Sequence, residues 1–131
     1  MKMGESGSEA YFYLAFALHS AEPQQWKRAL EAAQKAIQLG PDDPWARILA
    51  GRIAKQAAQY DVALAFLTEA TRMAPELAQA HFWLGSTYLA MGKAAEGQRE
   101  MEEVDHLHVQ NPARFDTEDW GLSRRLFALS R

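Results

Sequence analysis

The sequence predicts an all-α fold, an α-solenoid (superhelix) in which short helices stack in antiparallel pairs. Its composition is rich in Ala, Leu, Gln and Glu, which favour helices, and poor in the β-branched residues that favour strands. Small residues also recur every 34 positions, in the two series Ala29, Ala63, Gly97 and Ala17, Gly51, Gly85. Such self-similarity at a fixed period is typical of repeat proteins, in which each unit buries its apolar face on the next.

The whole-chain composition argues against several classes of protein. With 131 residues, the chain is the size of one domain. Its net charge of −3 gives no general attraction to nucleic acid or to anionic membranes. Its longest apolar run, residues 10–18, is far too short to span a bilayer. We expect a soluble cytoplasmic protein that binds no nucleic acid and inserts into no membrane, the alternative being part of a longer exported protein.

The sequence divides into a short lead-in and one repeat domain. Residues 1–8 are polar and rich in Gly and Ser, which predicts a disordered segment. Residues 9–131 then form a single domain, whose three repeats span about residues 10–43, 44–77 and 78–111. An apolar stripe in the tail predicts a capping helix over about residues 116–130, in preference to a cut fourth repeat.

Capping residues predict where the helices of the first unit begin. A first helix over residues 9–20 is capped by Ser8 alone, or by Ser6 together with Glu9. This helix is apolar almost all round and therefore needs cover on more than one side. The second helix is predicted over residues 23–39, because its proline suits the first helical position.

The second and third units repeat this plan. Asp42 or Asp43 opens the second unit, and Gly92 marks the turn inside the third. The remaining helices are predicted over residues 44–57, 60–74, 78–91 and 94–109.

Residues of all three units recur at matching positions. The first helix of the third unit reads HFWLGSTY over residues 81–88. The second unit supplies Gly51, Tyr60, Ala63, Leu67, Ala70 and Pro75, and the first supplies Ala17, Trp26, Ala29, Ala36 and Pro41. This pattern resembles the tetratricopeptide repeat (TPR) family over about residues 10–111. The resemblance implies three helix-turn-helix repeats, with small residues that let the two helices of a pair approach closely.

The resemblance also implies a site. In this family the first helices of successive pairs line a concave groove, where a peptide or helix of a partner usually lies. On this chain the groove residues would be Tyr11, Leu14, Leu18, Trp45, Ile48, Leu49, Arg52, Gln56, Gln79, Phe82, Trp83, Ser86 and Leu89. Arg52 and Lys55 would be its only basic groups. Aromatic residues at helical spacing are also typical of a core, so part of this set is expected to pack between helices.

The composition of this groove selects the kind of ligand. Family members that clamp the C-terminal carboxylate of heat-shock chaperones use basic and amide side chains, whereas the matching positions here are mostly apolar. A carboxylate would lose hydration there without gaining charge-assisted hydrogen bonds. The groove instead suits an apolar peptide or an amphipathic helix of a partner protein.

The expected function is therefore a protein-protein interaction scaffold. The alternative is a structural role, as a self-associating segment of a larger protein or as a homo-oligomer such as a homodimer. No phosphate-binding loop, nucleophile elbow or HExxH motif appears, so we expect neither an enzyme nor a cofactor. His106 and His108 stand two apart on a helix and do not face each other, so we expect no metal site. Residues 101–105 spell MEEVD, a tail motif that such clamps bind, but this copy is internal and has no terminal carboxylate.

Overall fold

The described part of the molecule is built from three stacked helical hairpins. The computed structural model describes residues 7–110, with side chains described as far as His108. Its helices are α1 Ser8–Ala21, α2 Trp26–Leu39, α3 Pro44–Gln56, α4 Tyr60–Met73, α5 Ala78–Ala90 and α6 Ala94–Gln110. Each odd-numbered helix packs on the helix that follows it, and α2 and α4 join each hairpin to the next. The predicted solenoid of three helix pairs is confirmed.

Most helix ends lie where the sequence predicts them. Five of the six helices begin and end within one residue of the predicted positions. The exception is α2, because Pro23–Gln25 forms a separate 3₁₀ turn and the α-helix begins only at Trp26. Helix α1 already starts at Ser8, inside the predicted lead-in. The rest of that lead-in and the predicted capping helix, residues 116–130, lie outside the described residues.

The helix starts show one correct and one wrong capping prediction. The Asp43 side chain accepts a hydrogen bond from the Trp45 backbone N–H at 2.9 Å, and Pro44 occupies the first helical position. Ser8, in contrast, does not cap α1, because it is itself the first helical residue and Gly7 occupies the cap in a left-handed conformation. The alternative cap, Ser6 together with Glu9, includes a residue outside the described range. Among the described residues, the start of α1 has no side-chain cap.

Small residues bring the paired helices close in the second and third hairpins. A Cβ atom at Gly51 would lie 2.4 Å from Cγ of Leu67, and one at Gly97 would lie 2.6 Å from Leu89. These distances are shorter than van der Waals contact, so only glycine fits. Ala17 was predicted to play the same part in α1, and this prediction is wrong because its side chain is exposed.

The first hairpin packs through a different face. Helix α1 buries Phe12, Ala15 and Leu18, and α2 meets it with the buried alanines Ala29, Ala32, Ala33 and Ala36. These residues join the fully buried Ile48 and Leu49 of α3 in the main core, while Leu67 and Leu84 belong to a second core cluster. Within residues 7–110, no helix has both the length and the apolar character needed to cross a membrane.

Candidate functional site

The predicted groove residues differ widely in accessibility. Ile48 and Leu49 are fully buried and Gln79 is 3% exposed, so these three side chains offer no surface to a ligand. Their burial corrects the prediction. Ile48 and Leu49 are buried because α3 is central and packs against α1, α2, α4 and α5, whereas Gln79 lies at the start of α5, which packs against α3, α4 and α6. The predicted residues that keep exposed or partly exposed side chains are Tyr11, Leu14, Trp45, Arg52, Gln56, Phe82, Trp83, Ser86 and Leu89.

An aromatic and cationic surface joins α3 to α5. The Arg52 guanidinium carbon lies 4.4 Å from the centroid of the Trp83 ring, and the Lys55 ammonium lies 5.9 Å from it. Both distances are within the range of cation–π attraction. Phe82 meets the same indole edge to face, with ring centroids 4.8 Å apart. We call these four residues the Trp83 wall.

Packing and cation contacts hold the Trp83 ring in place. Its indole N–H is buried and has no hydrogen-bond partner among residues 7–110. Most buried donors in proteins are paired, so an unpaired donor carries an energetic cost. A smaller apolar side chain at this position would have no N–H donor and would not carry this cost.

His19 contributes to this region from α1, and the sequence prediction missed it. Burial of the imidazole and, second, the positive charge of Arg52 lower the pKa of His19 to about 4. The ring is therefore neutral at physiological pH, and its part of α1 faces Arg52. Its repeat position was the available signal, because the 34-residue period aligns His19 with Ile53, which is buried.

The apolar residues predicted on α1 lie on a separate surface. Tyr11, Leu14 and Leu18 line a groove of about 270 Å³, and their neighbours in it come from α2: Arg28, Glu31, Ala32 and Lys35. Residues of α3 or α5 do not line it. We call it the end groove. Since an α-helix turns about 100° per residue, Leu14 lies about 140° around α1 from His19. The structure thus divides the predicted groove into two surfaces.

The ionisable side chains form no cluster suited to metal binding. Within residues 7–110, no three His, Asp or Glu side chains are grouped so that they could hold a metal ion. His81 lies 2.8 Å from a Glu100 carboxylate oxygen and 2.8 Å from the Pro75 carbonyl oxygen. It ties the start of α5 to α6 and to the preceding turn, which is a structural role.

Comparison with known proteins identifies the fold. No protein-family model and no curated protein matches the chain. Among solved structures, the type III secretion translocator chaperone SycD of Yersinia enterocolitica, in an alternative dimer, is 21% identical with a TM-score of 0.76, covering 94% of this chain and 91% of SycD. The TPR domain of Arabidopsis OM64 is 16% identical with a TM-score of 0.72, covering 92% and 95%.

MamA is a third similar structure. It is 20% identical with a TM-score of 0.74 over 81% of this chain, which spans 61% of the length of MamA. At these identities the likeness concerns the fold alone. The chain has a TPR-type fold.

Proposed function

We propose that this TPR-type fold is a protein-protein interaction scaffold that binds an apolar peptide or an amphipathic helix of a partner on the concave side of its first helices. The observation that carries the proposal is the Trp83 wall, where two cations of α3 and an edge-to-face aromatic pair of α5 lie side by side. The description of SycD as a translocator chaperone supports it, because that protein has the same fold.

The side chains of the wall favour an apolar ligand with one acidic residue. Phe82 offers apolar surface in the wall. Leu89 lies seven residues further along α5, on the same helix face as Phe82, and is 46% exposed. Neither α3 nor α5 contains an Asp or Glu between its first and last residue. A carboxylate in the bound segment would therefore be attracted by Lys55. One such attraction differs from a carboxylate clamp, whose several basic and amide side chains are replaced by mostly apolar ones at the matching positions of this chain.

Selection of peptide ligands tests this proposal. Peptides of about 16 residues would be selected on the full chain from a random phage library, and the affinity of the best one measured by calorimetry. We expect Phe82→Ala to weaken its binding at least tenfold, or about 1.4 kcal/mol, because the variant removes an aromatic contact. The matched control is Val62→Ala, since Val62 is 38% exposed on α4 outside the wall. Equal binding to both variants would reject the wall as the site.

Self-association is a second candidate function, favoured by the end groove. Leu14, on the groove floor, is 44% exposed, which is unusual for a large apolar side chain in the described part of the chain. The dimer in which SycD is described supports this candidate on the level of the fold. A second copy of the chain is then a further partner, at a surface distinct from the Trp83 wall.

A further inference from the structure

We infer that the end groove is the self-association surface of this protein, and that a second copy docks its own α1–α2 face there about a two-fold axis. This inference rests on the second candidate function and names the surface and the charges that select the partner. It is independent of the Trp83 wall, which lies on α3 and α5.

Among residues 7–110, the hairpin that carries the end groove has a neighbouring hairpin on one side only. Its lining comes from α1 and α2 only, while α3 packs against both of these helices. A hairpin inside a solenoid is covered on two sides by its neighbours, whereas a terminal hairpin has one uncovered side. Within residues 7–110, no element covers the α1–α2 pair on the side of the end groove.

The floor of the end groove is apolar although it faces outward. Tyr11, Leu14, Leu18 and Ala32 supply this floor. Terminal hairpins of repeat proteins ordinarily present a polar outer face, because uncovered apolar surface lowers solubility. The exposed Leu14 in this lining is therefore accounted for by a partner that buries it.

The charges around the floor select a copy of the same chain. Arg28 and Lys35 are positive and Glu31, between them in sequence, is negative; all three are exposed side chains of α2. A uniformly acidic or basic partner would meet a like charge in this pattern. A two-fold axis instead brings the same surface against itself, so each contact occurs twice with the roles exchanged.

When the α2 helices of two copies cross in antiparallel orientation, these charges lie opposite charges of the other sign. Residues on facing antiparallel helices pair in opposite order, so Glu31 of one copy can lie opposite Arg28 or Lys35 of the other. The symmetry axis then supplies the reverse pair automatically. Leu14 of one copy meets Leu14 of the other beside these pairs, and both bury their exposed surface. The end groove is thus self-complementary in both charge and polarity.

Sedimentation velocity of the full chain over a concentration series tests this inference. We expect a concentration-dependent dimer in the wild type and at least a tenfold weaker dimer in Leu14→Asp. Val62→Asp is the matched control, because Val62 is a comparably exposed apolar residue on α4. It should dimerise like the wild type, and circular dichroism verifies that both variants keep their helices.

If Leu14→Asp unfolds, variants with reversed charges around the end groove test the inference instead. We expect Glu31→Lys and the double variant Arg28→Glu/Lys35→Glu to lose self-association separately and to form a mixed dimer when combined. A strictly monomeric wild type, or a dimer unaffected by Leu14→Asp and by both charge variants, overturns the inference. Peptide affinity measured on the Leu14→Asp monomer should equal that of the wild type, so a failure of this inference is distinguishable from a failure of the Trp83 wall.

Discussion

At the scale of the residue, Arg52 of α3 interacts with residues of both α1 and α5. Its guanidinium stacks on Trp83 of α5, and its charge is one of the two causes that lower the pKa of His19 on α1. The other and larger cause is burial of the imidazole. His19 is thus neutral near Arg52, and the positive charge of the wall comes from Arg52 and Lys55 alone.

The pKa of His19 predicts how stability depends on pH. The folded-state pKa of about 4 lies below the ordinary value of 6.5, so between these values the unfolded chain binds a proton that the folded chain does not. Folding stability should therefore fall as the pH is lowered from 6.5, and this loss should be complete below about 4.

Urea unfolding of the wild type and of His19→Gln at several pH values measures this effect. The carboxylates contribute equally to both proteins, so the difference in their free energies of unfolding isolates the histidine. We expect that difference to change between pH 6.5 and 4 and to be constant at higher pH. A pH-independent difference over that range would contradict the account of His19.

At the scale of the element, the turn inside each hairpin determines how its helices meet. The second and third hairpins turn through a residue with positive φ at matching positions, Ala58 at 62° and Gly92 at 80°. The first hairpin turns through the 3₁₀ segment Pro23–Gln25 instead. The difference in turn accompanies the difference in packing, in which α1 buries Phe12 and Ala15 and leaves Ala17 exposed.

At the two positive-φ positions, replacing alanine by glycine and replacing glycine by alanine should have opposite effects on folding stability. An L-residue in the left-handed region is strained by about 1–2 kcal/mol, which glycine avoids. Ala58→Gly should therefore stabilise the protein by up to about 1 kcal/mol, the gain being reduced by the greater freedom of glycine in the unfolded chain. Gly92→Ala should destabilise it by about 1 kcal/mol, although a Cβ there meets no atom within 4 Å.

Chemical denaturation of these variants checks the turns. Ala57→Gly is the control in the same turn, because Ala57 has a φ of −88° that any residue adopts. It should lose stability, as glycine only adds unfolded-state freedom there. Equal effects of Ala57→Gly and Ala58→Gly would show that backbone strain at Ala58 is not the cause.

At the scale of the whole molecule, the sequence predicted the repeat and its register more fully than the surfaces. The 34-residue period, the turn residues and the glycines at close helix contacts are local signals, and they predicted the order and nearly all ends of the helices. Helical periodicity identifies an apolar stripe on one helix, but the neighbours of that helix decide whether the stripe is covered. Ile48 therefore lies in the core of the central hairpin, while Leu14, at the same repeat position in α1, lies in the open end groove.

The two surfaces follow from the stacking of the hairpins. The Trp83 wall forms where α3 and α5 lie side by side, and the end groove forms where the stack has no further hairpin within residues 7–110. The sequence predicted one groove across the odd-numbered helices, because the register alone does not show that the residues of α1 face α2. Separate surfaces would allow the proposed partner binding and the proposed self-association to occur together.

The indole signals of ¹⁵N-labelled protein test the central claim, that a partner segment binds on the Trp83 wall. A peptide selected on the full chain would be titrated into the protein, with the Trp83 signal assigned from Trp83→Phe. Trp26 on α2 is the internal reference, because it also carries a nearby lysine, with Lys27 Nζ 5.7 Å from its ring centroid. The account predicts that the Trp83 signal shifts in proportion to peptide bound while the Trp26 signal stays in place. A bound peptide that shifts Trp26 and leaves Trp83 unchanged would contradict it.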